Sequence, residues 1–342
     1  MFPHGEQAAG AAEEGATLFD ATCYYEPFEA TADVWHPQKP EGMAAVLVRE
    51  GTSIKESYLR EAAFLDYCFT GCGSRPEKIF VYHAEKAYER HGEIDPAAYF
   101  AVRDVTRRVR RHAADMERTL ETLREELSVD PTLSKYRDQL CSRPRSCPVC
   151  SREVPEVESD HVSTLHRGGQ LVRDLMEEGI TSIAEIPVER LAHRRQEIQQ
   201  KTVIEGRPHV DSIALGSFLD RLVYPLHYLD FEATSSAVPP FDGIRPWEHI
   251  AYLYSLHNED QEGLLSHSTY MMEPGVDGRY QMAQRLVAEI GPVGSVVVYS
   301  AGFERGILHR LADVVPDLQT ELLSIVERIV EDLEPFNEFQ FY

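Results

Sequence analysis

Apolar residues in this chain come in short runs. Ala44–Val48, Val223–Leu229 and Ser295–Tyr299 are each the length of one buried strand. None approaches the roughly 18 consecutive apolar residues of a membrane helix. Such a chain folds as strands and amphipathic helices, and no membrane is expected as a partner. Its 342 residues suggest two domains, at roughly 100–200 residues each. Apolar residues at 43% and charged residues at 27% exclude a wholly disordered or collagen-like chain. Residues 1–20 are small and acidic and lack the apolar core of a secretory signal, so they are expected to be disordered and the protein cytoplasmic.

Charge narrows the partners. Asp and Glu number 57 against 34 Lys and Arg, a net charge of −23, and only 6 of the 34 are Lys. An acid-rich surface poor in Lys suits a high-salt cytoplasm, where screening removes self-repulsion; an acidic protein of a GC-rich genome is the alternative. Either way, the surface as a whole is unsuited to non-specific duplex binding. A local groove or a metal site remains open to nucleic acid.

In the first half, strands are predicted at Thr22–Trp35, Ala44–Arg49 and Lys78–His83, and a helix at Ser57–Phe69. Apolar residues at Val102, Val105, Val109, Ala113, Met116, Leu120, Leu123 and Leu127 step by 3 and 4, which predicts one long helix. Arg103, Arg107, Arg108, Arg110 and Arg111 decorate it, either as a phosphate-binding stripe or as a solvated face. Residues 131–155 read as a loop with a Cys cluster, and residues 156–222 as a helical connector. From residue 223 the texture changes. Strands at Val223–Leu229, His249–His257, Leu264–Met272 and Ser295–Tyr299 are joined or followed by helices at Tyr280–Ile290, Phe303–Leu311 and Glu321–Leu333. Strands first, then alternation, predicts an α/β fold with a mixed sheet.

Asp230-Phe231-Glu232 closes the first of these strands. The two-residue period puts both carboxylates on one face. Two acids held that close repel unless a cation sits between them, which suits Mg²⁺ or Mn²⁺ and phosphoryl chemistry. A surface strand end is the ordinary alternative. In Tyr299–Glu304 a buried strand opens a helix whose first turn presents Glu304, either as a third carboxylate of the site or as an acid stabilising the helix dipole. Cys141, Cys147 and Cys150 have the spacing of metal ligands, with His161 or His166 as a fourth ligand for Zn²⁺. Without a signal peptide, the six Cys are expected as thiols or metal ligands, with Cys68 and Cys72 packed at a helix end. His257 is expected as a buried, hydrogen-bonded histidine.

These residues carry a resemblance. Tyr224–Glu232, Pro239–Trp247, Tyr254–His257, Tyr299–Glu304 and Arg328–Val330 resemble a bacterial domain of unknown function, number 2779, itself similar to ribonuclease-H-like DEDD exonucleases. The resemblance implies that Asp230 and Glu232 form the first acidic motif and Glu304 the second, with Ser300 where the family usually has Asn. It also implies a last acid, preceded by Tyr or His, beyond residue 342; Asp332 is the late acid that could stand in. The first half resembles RecB-like PD-(D/E)XK nucleases through Glu29–Val34, Thr52–Lys55, Glu61–Phe64, Tyr88–Asp95 and Asp104–Thr106. There Asp33 fits the motif, but Leu47 occupies the Glu position and Arg49 the Lys position. Leu47 cannot ligate a metal and Arg49 cannot lose a proton. A catalytically dead half at residues 21–155 is therefore implied, with residues 223–342 as the ribonuclease-H-like half. The relatives use their Cys cluster for an iron–sulfur cluster whose fourth ligand would precede Met1. The resulting expectation is a metal-dependent, 3′–5′ exonuclease-like nuclease acting on single-stranded nucleic-acid ends. The alternative is a non-catalytic nucleic-acid- or partner-binding protein, or an inactive fragment of a longer nuclease.

Overall fold

The computed structural model describes residues 16–38, 42–129 and 158–342. The expectations for residues 1–15 and for Cys141, Cys147 and Cys150 lie outside them. The fold is mixed α/β, with two five-stranded mixed sheets. The described chain divides into two compact units: residues up to 129 together with Ser235–Glu248, and residues 158–234 together with His249–Tyr342. No described helix is long and apolar enough to cross a membrane.

In the first unit, β1 (Leu18–Tyr25), β2 (Phe28–Pro37), β3 (Met43–Arg49), β4 (Lys78–Ala84) and β5 (Phe100–Asp104) lie side by side in chain order. The β3–β4 pair is parallel and the others are antiparallel. The single strand predicted at Thr22–Trp35 is thus a hairpin turning at Glu26-Pro27. Helix α1 (Glu56–Gly71) supplies the β3–β4 crossover. It buries Leu59, Ala62, Ala63, Leu65 and Phe69, the 3–4 spacing of a core-facing stripe. The predicted long helix is a correction: Val102 lies in β5, followed by α2 (Thr106–Arg111) and α3 (Ala113–Val129). Asp104 sets the break, because its Oδ1 accepts from both the backbone N–H and the hydroxyl of Thr106, 2.9 and 2.6 Å away. This Asx-type turn competes with continuing the strand and leads the chain into the helix.

Cysteine usage also needs correction. Cys23 of β1 and Cys72, which caps the C-terminus of α1, form a disulfide. The hairpin delivers Cys23 to the helix end where Cys72 had been expected to pack as a thiol. Cys68 is the free, buried cysteine of the described residues, and burial pushes its thiol up to about 11.

In the second unit, residues 162–203 hold a small core of Val162, Leu165, Leu175, Ile183, Ile186 and Leu191 between short helical pieces, among them α4 (Gly169–Glu177) and α5 (Arg194–Glu205). After α6 (Ser212–Leu219) come β6 (Leu226–Thr234), β7 (Ile250–Glu259), β8 (Leu265–Met271), α7 (Arg279–Ile290), β9 (Ser295–Val298), α8 (Ala301–Val314), α9 (Gln319–Glu327) and β10 (Ile329–Glu331). The sheet order is β10-β9-β6-β7-β8. Strands β6, β7 and β8 form an antiparallel meander, while β9 and β10 run parallel to β6. Helices α7, α8 and α9 pack together against the sheet face that buries Leu229, Phe231, Tyr254 and Leu256. Glu289 fixes α7 there, accepting from the hydroxyls of Tyr254 at 2.8 Å and Ser268 at 2.7 Å. The helix predicted at Glu321–Leu333 ends early, and its last part is β10. Arg328 holds the turn, donating to the carbonyls of Gly291, Val293 and Gly294.

Candidate functional site

The three parallel strands β6, β9 and β10 present their carboxyl ends on one side of the second sheet, where open α/β sheets usually bind ligands. Pairing between β6 and β9 covers only Leu226–Tyr228 against Ser295–Val297. Beyond it the strands part. Asp230 lies two residues past the last pair, and the chain leaving β9 turns through Tyr299 and Ser300 into α8. On α8 the residues Glu304, Ile307, Leu308 and Leu311 follow the spacing of a buried stripe, so Glu304 occupies a core position. It is 2% exposed, and its Oε2 has no hydrogen-bond partner. Buried carboxylate oxygens are normally paired, and an orphan is costly unless something else satisfies it.

Burial holds the Glu304 carboxyl above its ordinary range. Its own backbone N–H opposes this, while the negative charges of Asp230, Glu331 and Asp332 add to it. Asp332 is also raised, chiefly by burial. Its backbone N–H donates to the Val298 carbonyl at 3.0 Å, so it directly extends the β9–β10 pairing. Asp230, Glu304 and the adjacent pair Glu331-Asp332 thus gather negative charge towards the carboxyl ends of β6, β9 and β10. The exposed His249 ring packs edge-on against Phe303, the residue before Glu304, with centroids 5.7 Å apart.

Residues 227–342 match the model of a family described as Domain of unknown function (DUF2779). No curated protein and no solved structure matches the chain. The DUF2779 match opens at His227, on β6, and takes in every acid of the cluster.

Asp230 and Glu232 are both exposed on the same face of β6, alternating with buried Leu229 and Phe231. Asp230 is among the charges acting on Glu304, whereas Glu232 is not. Glu331 was missed by sequence reasoning, because it falls inside the helix predicted there. The signal was present: Ile329-Val330 after Arg328 is a β-branched pair better suited to a strand. His257 was expected to be buried but is exposed, with its ring stacked on His267 at 4.2 Å. His161 and His166 were offered as metal ligands for a Cys cluster that lies outside the described residues. His161 Nδ1 accepts the Ser163 N–H at 3.1 Å, and His166 packs against Phe339, 5.2 Å between centroids.

The other predicted site lies in the first unit. β2–β3 pairing ends at Val34–Val46, and beyond it the Asp33 carboxylate accepts the Val48 N–H at 2.7 Å. Asp33 also accepts from Arg49 Nη1 at 2.8 Å, while Arg49 Nε donates to Glu61 of α1 at 2.9 Å. Leu47 is 1% exposed and belongs to the core. A second carboxylate, Glu61, is therefore present where none was expected, with the Arg49 guanidinium shared between the two acids. Glu61 and Asp33 hold the Arg49 pKa up against the opposing effect of burial. Arg49→Ala is expected to cost about 1–2 kcal/mol, because it removes charge-assisted hydrogen bonds at a half-buried site. Urea unfolding measures this, and Arg49→Lys should recover only part of the loss.

Proposed function

We propose that the second unit is a metal-dependent nuclease domain of ribonuclease-H-like type, hydrolysing phosphodiesters at single-stranded nucleic-acid ends. The observation that carries this reading is the buried Glu304 carboxylate, whose Oε2 has no hydrogen-bond partner and which feels the charges of Asp230, Glu331 and Asp332. The strand order and directions of the second sheet also support it, an antiparallel meander continued by two strands parallel to its first.

Among the described residues, no three His, Cys, Asp or Glu side chains already stand as a metal-ligating group. By donor chemistry, however, the acids fit a hard divalent cation, Mg²⁺ or Mn²⁺, which prefers carboxylate oxygens. Asp230 and Glu304 would hold it, with Glu232 and Asp332 available from the flanks. When bound, such an ion polarises the phosphoryl oxygen and lowers the pKa of water. The chain itself supplies position. Packing of α8 fixes Glu304, and β6 fixes Asp230 on the open face, where a phosphate can approach.

In the first unit Arg49 occupies the position where PD-(D/E)XK chemistry needs Lys, and its fixed charge already neutralises Asp33 and Glu61. That unit is assigned no hydrolysis. End-labelled single-stranded DNA and RNA, incubated with Mg²⁺ or Mn²⁺, test the assignment. Shortening from one end, abolished by chelation and untouched by Asp33→Asn, is the expected result. Activity lost with Asp33→Asn but kept with Asp230→Asn would reverse the roles of the two units.

A further inference from the structure

In a chain with 57 acids and 34 basic residues, many described arginines pair with carboxylates, while others, such as Arg305 and Arg328, bond backbone carbonyls instead. Arg49, Arg90, Arg190, Arg221 and Arg279 all pair with carboxylates. The six residues of α2, Thr-Arg-Arg-Val-Arg-Arg, behave differently. Val109 is fully buried, and the Thr106 hydroxyl accepts the Ile79 N–H at 2.9 Å. This turn of helix is thereby clamped to the sheet, and all four arginines face outward. Arg110 is tied down through Nη2 to the carbonyls of Pro76 and Glu77, at 3.0 and 3.3 Å. Among the described residues, Arg107, Arg108 and Arg111 make no ion pair or side-chain hydrogen bond. Together the four line an open depression of about 610 Å³.

We propose that this arginine surface binds the phosphodiester backbone of a single-stranded nucleic acid. Three guanidiniums with no acid partner among the described residues, on a rigid base in a protein whose net charge is −23, are complementary to a polyanion. Contacts of this kind position a strand without reading its sequence. The inference shares its ligand class with the nuclease reading, but it stands on the first unit alone.

Fluorescence anisotropy of a labelled 20-nucleotide oligo-dT, titrated with the full chain in EDTA, tests it. Because hydrolysis is not read, failure of the nuclease reading leaves this result intact. Three phosphate contacts should give the wild type a log–log salt slope that falls in magnitude by about 2 in R107Q/R108Q/R111Q. At low salt the same variant should bind about tenfold or more weakly. R107K/R108K/R111K should keep the slope, and its unfolding midpoint, like that of the Gln variant, should match the wild type because all three side chains are exposed. Three results would overturn the proposal: no binding by the wild type, an unchanged slope in the Gln variant, or polyglutamate of equal charge binding at least as tightly as the oligonucleotide. The last would assign the surface to an acidic protein segment.

Discussion

Glu304→Gln is expected to lower cation-dependent hydrolysis on the order of 10³-fold or more, while raising the melting temperature of the metal-free protein. The two effects have one cause. Glu304 is a carboxylate on the apolar stripe of α8, with one oxygen unsatisfied and three negative charges nearby. Because its folded-state pKa is raised, the folded chain holds this proton more tightly than the unfolded chain does. The stability so gained is fully present below the unfolded-state pKa and is lost as pH rises through the raised folded value. Asp332, shifted in the same direction, behaves alike. At neutral pH the metal-free site therefore opposes folding, and the neutral isostere relieves it. Melting curves from pH 4 to 8 should diverge, with the Gln variant gaining on the wild type as pH rises. A purely structural Glu304 would give the opposite pattern, a destabilised variant with hydrolysis intact.

Cys72→Ser is expected to cost up to about 4 kcal/mol, the chain-entropy value for a closed loop of this length. The bond joins residues 49 apart and ties edge strand β1 to the end of α1. Cys72 is the better site to substitute, since Cys23 is 1% exposed and its loss would also disturb the core. A reducing agent should lower the urea midpoint of the wild type towards that of the variant and leave the variant unmoved. Equal midpoints for wild type and variant under oxidising conditions would show that the two thiols are not joined.

Sequence reasoning succeeded where a single local rule governs and failed where distant groups decide. Asp230 and Glu232 were legible because strand periodicity alone fixes their shared face. The buried position of Glu304 was not read, although its spacing to Ile307, Leu308 and Leu311 is that of a buried stripe. Glu331 was not legible, because the helix-like texture of residues 321–333 hides a strand formed by pairing with β9 and by the Arg328 turn. The long helix predicted from Val102 failed for a similar reason: its apolar period runs unbroken across the Asp104–Thr106 turn. Asp33 and Arg49 were correctly placed on adjacent strands, but Glu61 came from a helix turned towards them, a tertiary fact no spacing reveals. The Cys23–Cys72 bond likewise depends on a hairpin that had been read as one strand.

The cation site itself is the most direct test. Calorimetric titration of Mn²⁺ into the full chain at pH 7.5, in parallel with Asp230→Asn and Glu304→Gln, measures it without reference to substrate or turnover. Binding by the wild type that is lost in both variants, and persists in Asp33→Asn, is the predicted result. Identical isotherms for the wild type and the Glu304→Gln variant would contradict the account, leaving the buried carboxylate without a cation and the nuclease reading without its foundation.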